Sequence, residues 1–113
     1  MRVRPDLFEE CRLVTAEGEL DLTTITPFTQ ALRDSRNAAG CPFLIVDLSL
    51  VSFMDSSVLS PLADAWTDCS HRHGWVRVIY HNRLGLLFRA SGGNSHFPRY
   101  HNRRNAWQGL AGP

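Results

Sequence analysis

The sequence predicts one α/β domain built on a mixed sheet of four to five strands with about four helices. Three observations predict it. After two opening strand-like segments, helical and strand-like stretches alternate, the pattern of parallel strands joined by crossover helices. The run FLIVDLSLV at residues 43–51 is unbroken in its apolar character but for Asp47 and Ser49, and rich in β-branched residues, as a strand covered on both faces is. The length of 113 residues is one domain's worth, so the domain spans 1–113. The element order reads β-β-α-β-α-β-α-β-α, with an antiparallel addition at the start.

Each element has its own warrant. Val3 and its neighbours suit a short edge strand. CRLVTAEGEL alternates loosely and predicts a strand from about Cys11 to Glu17, with Gly18 starting a turn through Asp21. In TTITPFTQALRDSRNAAG, residues Ile25, Phe28, Leu32 and Ala39 share a helical face. Thr23, Thr24 or Thr26 can cap that helix, Pro27 suits its first turn, and Gly40 stops it. The strand at 43–51 follows the turn Gly40-Cys41-Pro42. A helix follows Asp55, with Leu59, Leu62, Ala63, Trp66 and Cys69 or Ser70 on one stripe and Gly74 at its end. WVRVIY alternates as a strand, NRLGLLFRASGG reads as a short helix closed by glycines, and HFPRY as a weak final strand. RRNAWQGL is a last helix packing Trp107 and Leu110.

Composition excludes several classes. The apolar fraction is 43% and the charged fraction 20%, ordinary for a globular protein whose core needs no metal or disulfide. No eighteen-residue apolar stretch exists, and MRVRPDLFEEC lacks the apolar core of a signal peptide, so membrane insertion is not expected and a cytoplasmic setting is. Cys11, Cys41 and Cys69 fit no close-spaced zinc pattern and read as small buried residues. All twelve basic residues are arginine, which we read as codon composition. Residues 1–68 hold five arginines and eleven acids, a net of −6; residues 69–113 hold seven arginines and no acid, a net of +7. That asymmetry suits a polarised partner or two mutually attracting faces better than a nucleic-acid surface, because no basic run is longer than Arg103-Arg104.

The chemistry concentrates in VSFMDSSVLS, residues 51–60. In a parallel sheet, function gathers beyond the carboxyl ends of the strands. Asp47 lies inside the strand, and Asp55, Ser56 and Ser57 lie in the loop after it. One of the three caps the next helix, worth about 1 kcal/mol. A helix start also tolerates anions, so a phosphate on Ser56 or Ser57 is compatible with the fold. It adds about −1.5 to −2 charges, which a partner shaped for a neutral hydroxyl cannot solvate.

EGELDLTT and, some thirty residues later, LIVDLSLVSFMDSSVLS resemble the STAS domain family, and within it the bacterial anti-sigma factor antagonists. The family's Gly-Glu-Leu-Asp turn corresponds to Gly18–Asp21, and its Asp-Leu-Ser…Phe-Met-Asp-Ser-Ser segment to Asp47–Ser57. The resemblance implies that the unphosphorylated chain binds a serine-kinase-type anti-sigma factor and so releases a sigma factor. It implies Ser56 as the phosphoacceptor with Ser57 secondary, and a metal-dependent phosphatase of the PP2C type as the reversing enzyme. Asp21, Asp55, Ser57, Val58 and Leu59 become candidate partner contacts, with Asp55 capping the loop. Val58 and Ser60 stand where relatives usually carry glycines, and Pro61 follows Ser60. Glycine permits φ > 0 and valine does not cheaply, while Ser60-Pro61 is a good helix start that allows the second helix to begin a turn later.

The rivals are weaker. An enzyme needs a nucleophile, a base and an orienter. No Gly-x-Ser-x-Gly elbow or Gly-rich phosphate loop is present, His71-x-His73 is too little for a metal, and His71, His73, His81, His96 and His101 read as surface residues. No enzyme activity, metal or cofactor is expected. Phe97, Tyr100 and Trp107 interleave with Arg99, Arg103 and Arg104, but as a core strand and helix with a solvated arginine face rather than a direct nucleic-acid surface. The alternative kept open is an unphosphorylated STAS scaffold or subunit of a signalling or lipid-transport complex.

Overall fold

A computed structural model describes residues 2–8, 11–38, 41–90 and 96–112. Five strands form one sheet in chain order: β1 (Arg2–Phe8), β2 (Cys11–Leu20), β3 (Phe43–Met54), β4 (Trp75–Ile79) and β5 (Arg99–Tyr100). β1 pairs antiparallel with β2, from Arg2 opposite Glu17 to Phe8 opposite Cys11. All later pairs are parallel, as the alternation requires. The helices are α1 (Ile25–Ala38), α2 (Leu59–His71), α3 (Gly85–Ala90) and α4 (Arg103–Gln108). Short 3₁₀ turns lead into α2 and α3 at Ser56–Val58 and Asn82–Leu84.

Both sheet faces are covered, which is why residues 43–48 carry almost no polar break. Leu44, Val46 and Leu48 join Val14, Ala16, Val76 and Val78 in the main core, closed by Phe28 and Leu32 of α1, Leu62 and Ala65 of α2 and Phe88 of α3. On the opposite face Leu13, Ile45, Ile79 and Tyr100 pack against Ala106 of α4, with Phe43, Trp75 and Trp107 around them. Cys11 and Cys69 are buried and Cys41 is half-buried; burial pushes the Cys69 thiol up.

Several expectations are corrected in detail. The second strand does not turn at Gly18. It runs on to Leu20, because Gly18 takes φ +98 and absorbs a shift in register against β3. β1 and β3 also extend further than expected, and the final strand is reduced to Arg99–Tyr100. Ala63 is exposed, while Pro61 and Ala65 take the buried stripe of α2. Leu110 is exposed rather than packed. At the end of α2 it is His73, not Gly74, that adopts positive φ. The expected roles of Ala39, Gly40, Gly92 and Gly93 lie outside the described residues. All five histidines are exposed, although His96 stacks on Trp66 and His81 Nε2 meets the Ser49 carbonyl at 2.7 Å.

Candidate functional site

β2 and β3 end side by side, with Leu20 opposite Met54, so the loops that follow them leave the sheet together. The register is what brings residues 21–24 to residues 55–57. The two loops are then joined by polar bonds. Asp55 N–H donates to the Leu20 carbonyl at 3.3 Å, and Leu22 N–H donates to Asp55 Oδ2 at 3.3 Å.

Asp55 also caps the next turn. It has extended backbone, and its Oδ1 accepts the Ser57 N–H at 2.9 Å and the Ser57 hydroxyl. These donors stabilise the charged carboxylate and hold its pKa below the usual 3.8, the Ser57 hydroxyl acting most. Asp21 makes a turn of the same kind: its Oδ1 accepts the Thr23 N–H at 2.9 Å and the Thr23 hydroxyl at 2.6 Å. Its pKa is lowered mainly by that hydroxyl, against opposing pushes from burial and from neighbouring Asp55. The loop pair therefore presents two ionised carboxylates at neutral pH.

The two serines differ. The Ser57 hydroxyl is half-buried and committed to Asp55. Ser56 is exposed, and its hydroxyl bonds to none of the described residues, while its carbonyl accepts the Leu59 N–H. Val58 is completely buried in the main core, so its side chain is withdrawn as a contact available to a partner. Its φ of −69 is one valine adopts freely, so this position needs no glycine. Leu59 is half-buried against that core. The α-helix proper begins at Leu59, after the 3₁₀ turn, with no side-chain cap on Val58. Pro61 falls in its first turn and is buried.

Sequence reasoning missed the Leu22 N–H as a ligand of Asp55; Leu22 itself is 75% exposed beside it. It also missed the role of Thr23, for which the Asp-x-Thr spacing is the available signal. A second polar cluster lies on the other face. Asp47, buried within β3, accepts Arg103 Nε at 2.9 Å and the Ser49 N–H and hydroxyl at 3.0 and 2.6 Å. Arg103 Nη2 reaches Thr15 Oγ1 at 3.4 Å. Asp47, Ser49 and Arg103 line an open groove of about 520 Å³ with His101 and Arg104, and the charges of Asp47 and Arg103 are spent on each other. Among the described residues no three His, Cys, Asp or Glu side chains converge as metal ligands, and no helix is long and apolar enough to cross a membrane.

Comparison with known proteins agrees with this architecture. The family model for the STAS domain matches residues 3–83. No curated protein matches the sequence. The fold is similar to that of an anti-sigma factor antagonist from Mycobacterium paratuberculosis, at 24% identity over 96% of this chain and 92% of that one, with a TM-score of 0.81. An anti-sigma-factor antagonist (STAS) domain protein from Planctomyces limnophilus gives 16% identity, 96% and 97% coverage, and a TM-score of 0.84. The Bacillus cell fate determinant SpoIIAA, in its phosphorylated form, gives 15%, 96% and 99%, and 0.72. At these identities the likeness is one of fold.

Proposed function

Because this chain belongs to the STAS domain family, we propose that it is an anti-sigma factor antagonist, a non-enzymatic binding module switched by phosphorylation of Ser56. The partner is a serine-kinase-type anti-sigma factor in the cytoplasm, and binding it frees a sigma factor. The kinase transfers the γ-phosphoryl group of ATP to Ser56 Oγ, releasing ADP and the hydroxyl proton. A PP2C-type phosphatase hydrolyses the phosphoserine and restores binding.

The observation that carries this reading is the contrast between the two hydroxyls: Ser56 is exposed and bonds to none of the described residues, whereas Ser57 is tied to Asp55. A nucleophile has to reach the phosphoryl donor, and Ser56 can do so without breaking the loop. The electrostatics also favour a switch. A phosphate adds about −1.5 to −2 charges to a loop pair that already carries the ionised Asp21 and Asp55. A docked surface that tolerates two carboxylates then meets a dianion as well, and each 1.4 kcal/mol of repulsion is about tenfold in affinity. Asp21, Leu22 and Leu59 supply the neighbouring contacts.

The test is incubation with a kinase-type anti-sigma factor and ATP, followed by intact mass. One added phosphate, abolished in Ser56→Ala and kept in Ser57→Ala, supports the switch. Tight binding with no added phosphate points instead to a constitutive scaffold.

A further inference from the structure

An apolar strip stays uncovered where β3 outruns β4. β4 stops at Ile79, opposite Asp47, while β3 continues to Met54. On that overhang Leu50 is 57% and Phe53 52% exposed, and Leu86 of α3, which lines a groove together with Phe53, is 65% exposed. Phe53 and Met54 of β3 line a groove of about 530 Å³ together with Arg83, Leu84, Leu86 and Leu87 at and before α3. Several large apolar side chains gathered in one place mark a contact surface rather than chance exposure.

Charge flanks the strip in a fixed order. On the β2 side, Glu17 stands in register with Leu50 and Glu19 with Phe53, all four exposed. Glu17 meets Arg2 at 3.8 Å, with both side chains largely in solvent. On the α3 side stands Arg83. Neither Glu19 nor Arg83 has an ion-pair partner among the described residues. Across the surface the order is therefore acid, apolar, arginine.

We propose that this strip is the contact surface of a homodimer. A two-fold axis lying in the contact plane and running along the strip lays the acidic flank of one copy on the arginine flank of the other. Arg83 then faces the partner's Glu19, and the same pair forms a second time by symmetry. A surface with this order is self-complementary, which is what an isologous contact demands. A standard interface buries about 800 Å² per partner, so the flanks join the strip, and their charges fix how the copies meet.

The experiment is sedimentation equilibrium of the full chain from about 10 µM to about 1 mM, a range that spans weak dimer constants. The expected result is a mass rising from 12.8 kDa toward twice that value as concentration increases. Phe53→Ser weakens association at least about tenfold, the loss expected for an apolar anchor. Arg83→Glu and Glu19→Arg each weaken it too. An equimolar mixture of those two variants restores it, because each glutamate in the mixed dimer faces an arginine. These exposed substitutions are checked for folding by circular dichroism. A chain that stays at 12.8 kDa throughout, or a dimer indifferent to the charge exchange, overturns the proposal. Ser56 is untouched in every variant, so this result stands apart from that of the phosphorylation test.

Discussion

Asp55 and Leu22 are 33 positions apart in the chain, yet the Leu22 N–H donates to Asp55 Oδ2 at 3.3 Å and ties the loop after β2 to the loop after β3. The bond is stronger to an ionised Asp55, as are the two from Ser57. The folded-state pKa lies below the ordinary 3.8, so the contribution to stability is fully present above the unfolded value and is lost as pH falls through the folded one. Asp21 behaves in the same sense through Thr23. The urea midpoint of the wild type is expected to hold from neutral pH to about pH 5, where a free carboxyl is still ionised, and to fall below pH 4. Asp55→Asn has a lower midpoint at pH 7 and a shallower acid decline. Parallel curves for the two proteins would show that Asp55 contributes no such linkage.

The two serines make opposite demands on stability. Ser57→Ala removes a hydroxyl bonded to Asp55 and is expected to cost about 1 kcal/mol, the net worth of one such bond. Ser56→Ala removes an exposed hydroxyl that bonds to none of the described residues and stays within about 0.5 kcal/mol of wild type. If the proposed switch holds, Ser56→Glu folds as the wild type does but is expected to bind a kinase-type anti-sigma factor at least about tenfold more weakly, equivalent to 1.4 kcal/mol. Urea unfolding reads the first two, and titration calorimetry with the partner reads the third.

Element order and the loop carrying Ser56 are legible in the sequence because they rest on local pattern. The run at 43–51 shows its two covered faces, and Asp-Ser-Ser before a periodic stretch shows a cap. What stays hidden depends on where strands end in space. Nothing near Leu22 marks its amide as a ligand of Asp55, since that follows from Leu20 lying opposite Met54. Gly18 reads as a turn because glycine usually breaks a strand; here its positive φ lets the strand continue through a register shift. Val58 is a candidate partner contact by family resemblance, but in the 3₁₀ turn it is buried in the core. The Asp47–Arg103 pair is hidden by a separation of 56 residues.

That pair yields a third prediction. The Asp47 side chain is 7% exposed and depends on Arg103 for its counter-charge. Breaking a fully buried pair costs about 3–5 kcal/mol, because it strands the remaining charge. Arg103 is 42% exposed, so water softens the loss, and Arg103→Ala is expected to cost about 2 kcal/mol. Asp47→Asn removes the stranded charge, so the double variant Asp47→Asn/Arg103→Ala falls short of the sum of the singles. A double-mutant cycle by urea unfolding checks this, and strict additivity refutes it.

The turn after α2 supplies the last prediction, in which adjacent residues respond with opposite signs. His73 holds φ +63, a left-handed conformation that crowds a Cβ. His73→Gly removes that Cβ and is expected to stabilise by about 1 kcal/mol, reduced somewhat by the greater freedom of glycine in the unfolded chain. Gly74 sits against Pro42: a Cβ there falls 2.0 Å from the Pro42 carbonyl oxygen, the atom that accepts the Trp75 N–H at 3.0 Å where β4 begins. The obstacle is backbone, which cannot swing aside, so Gly74→Ala displaces the start of β4 and costs about 2–3 kcal/mol. Thermal melts of the two variants are expected to move apart, His73→Gly above the wild type and Gly74→Ala well below it. A Gly74→Ala melt that coincides with the wild type would mean that the strand start at Trp75 can shift freely, and the close approach to Pro42 would then carry no weight in the fold.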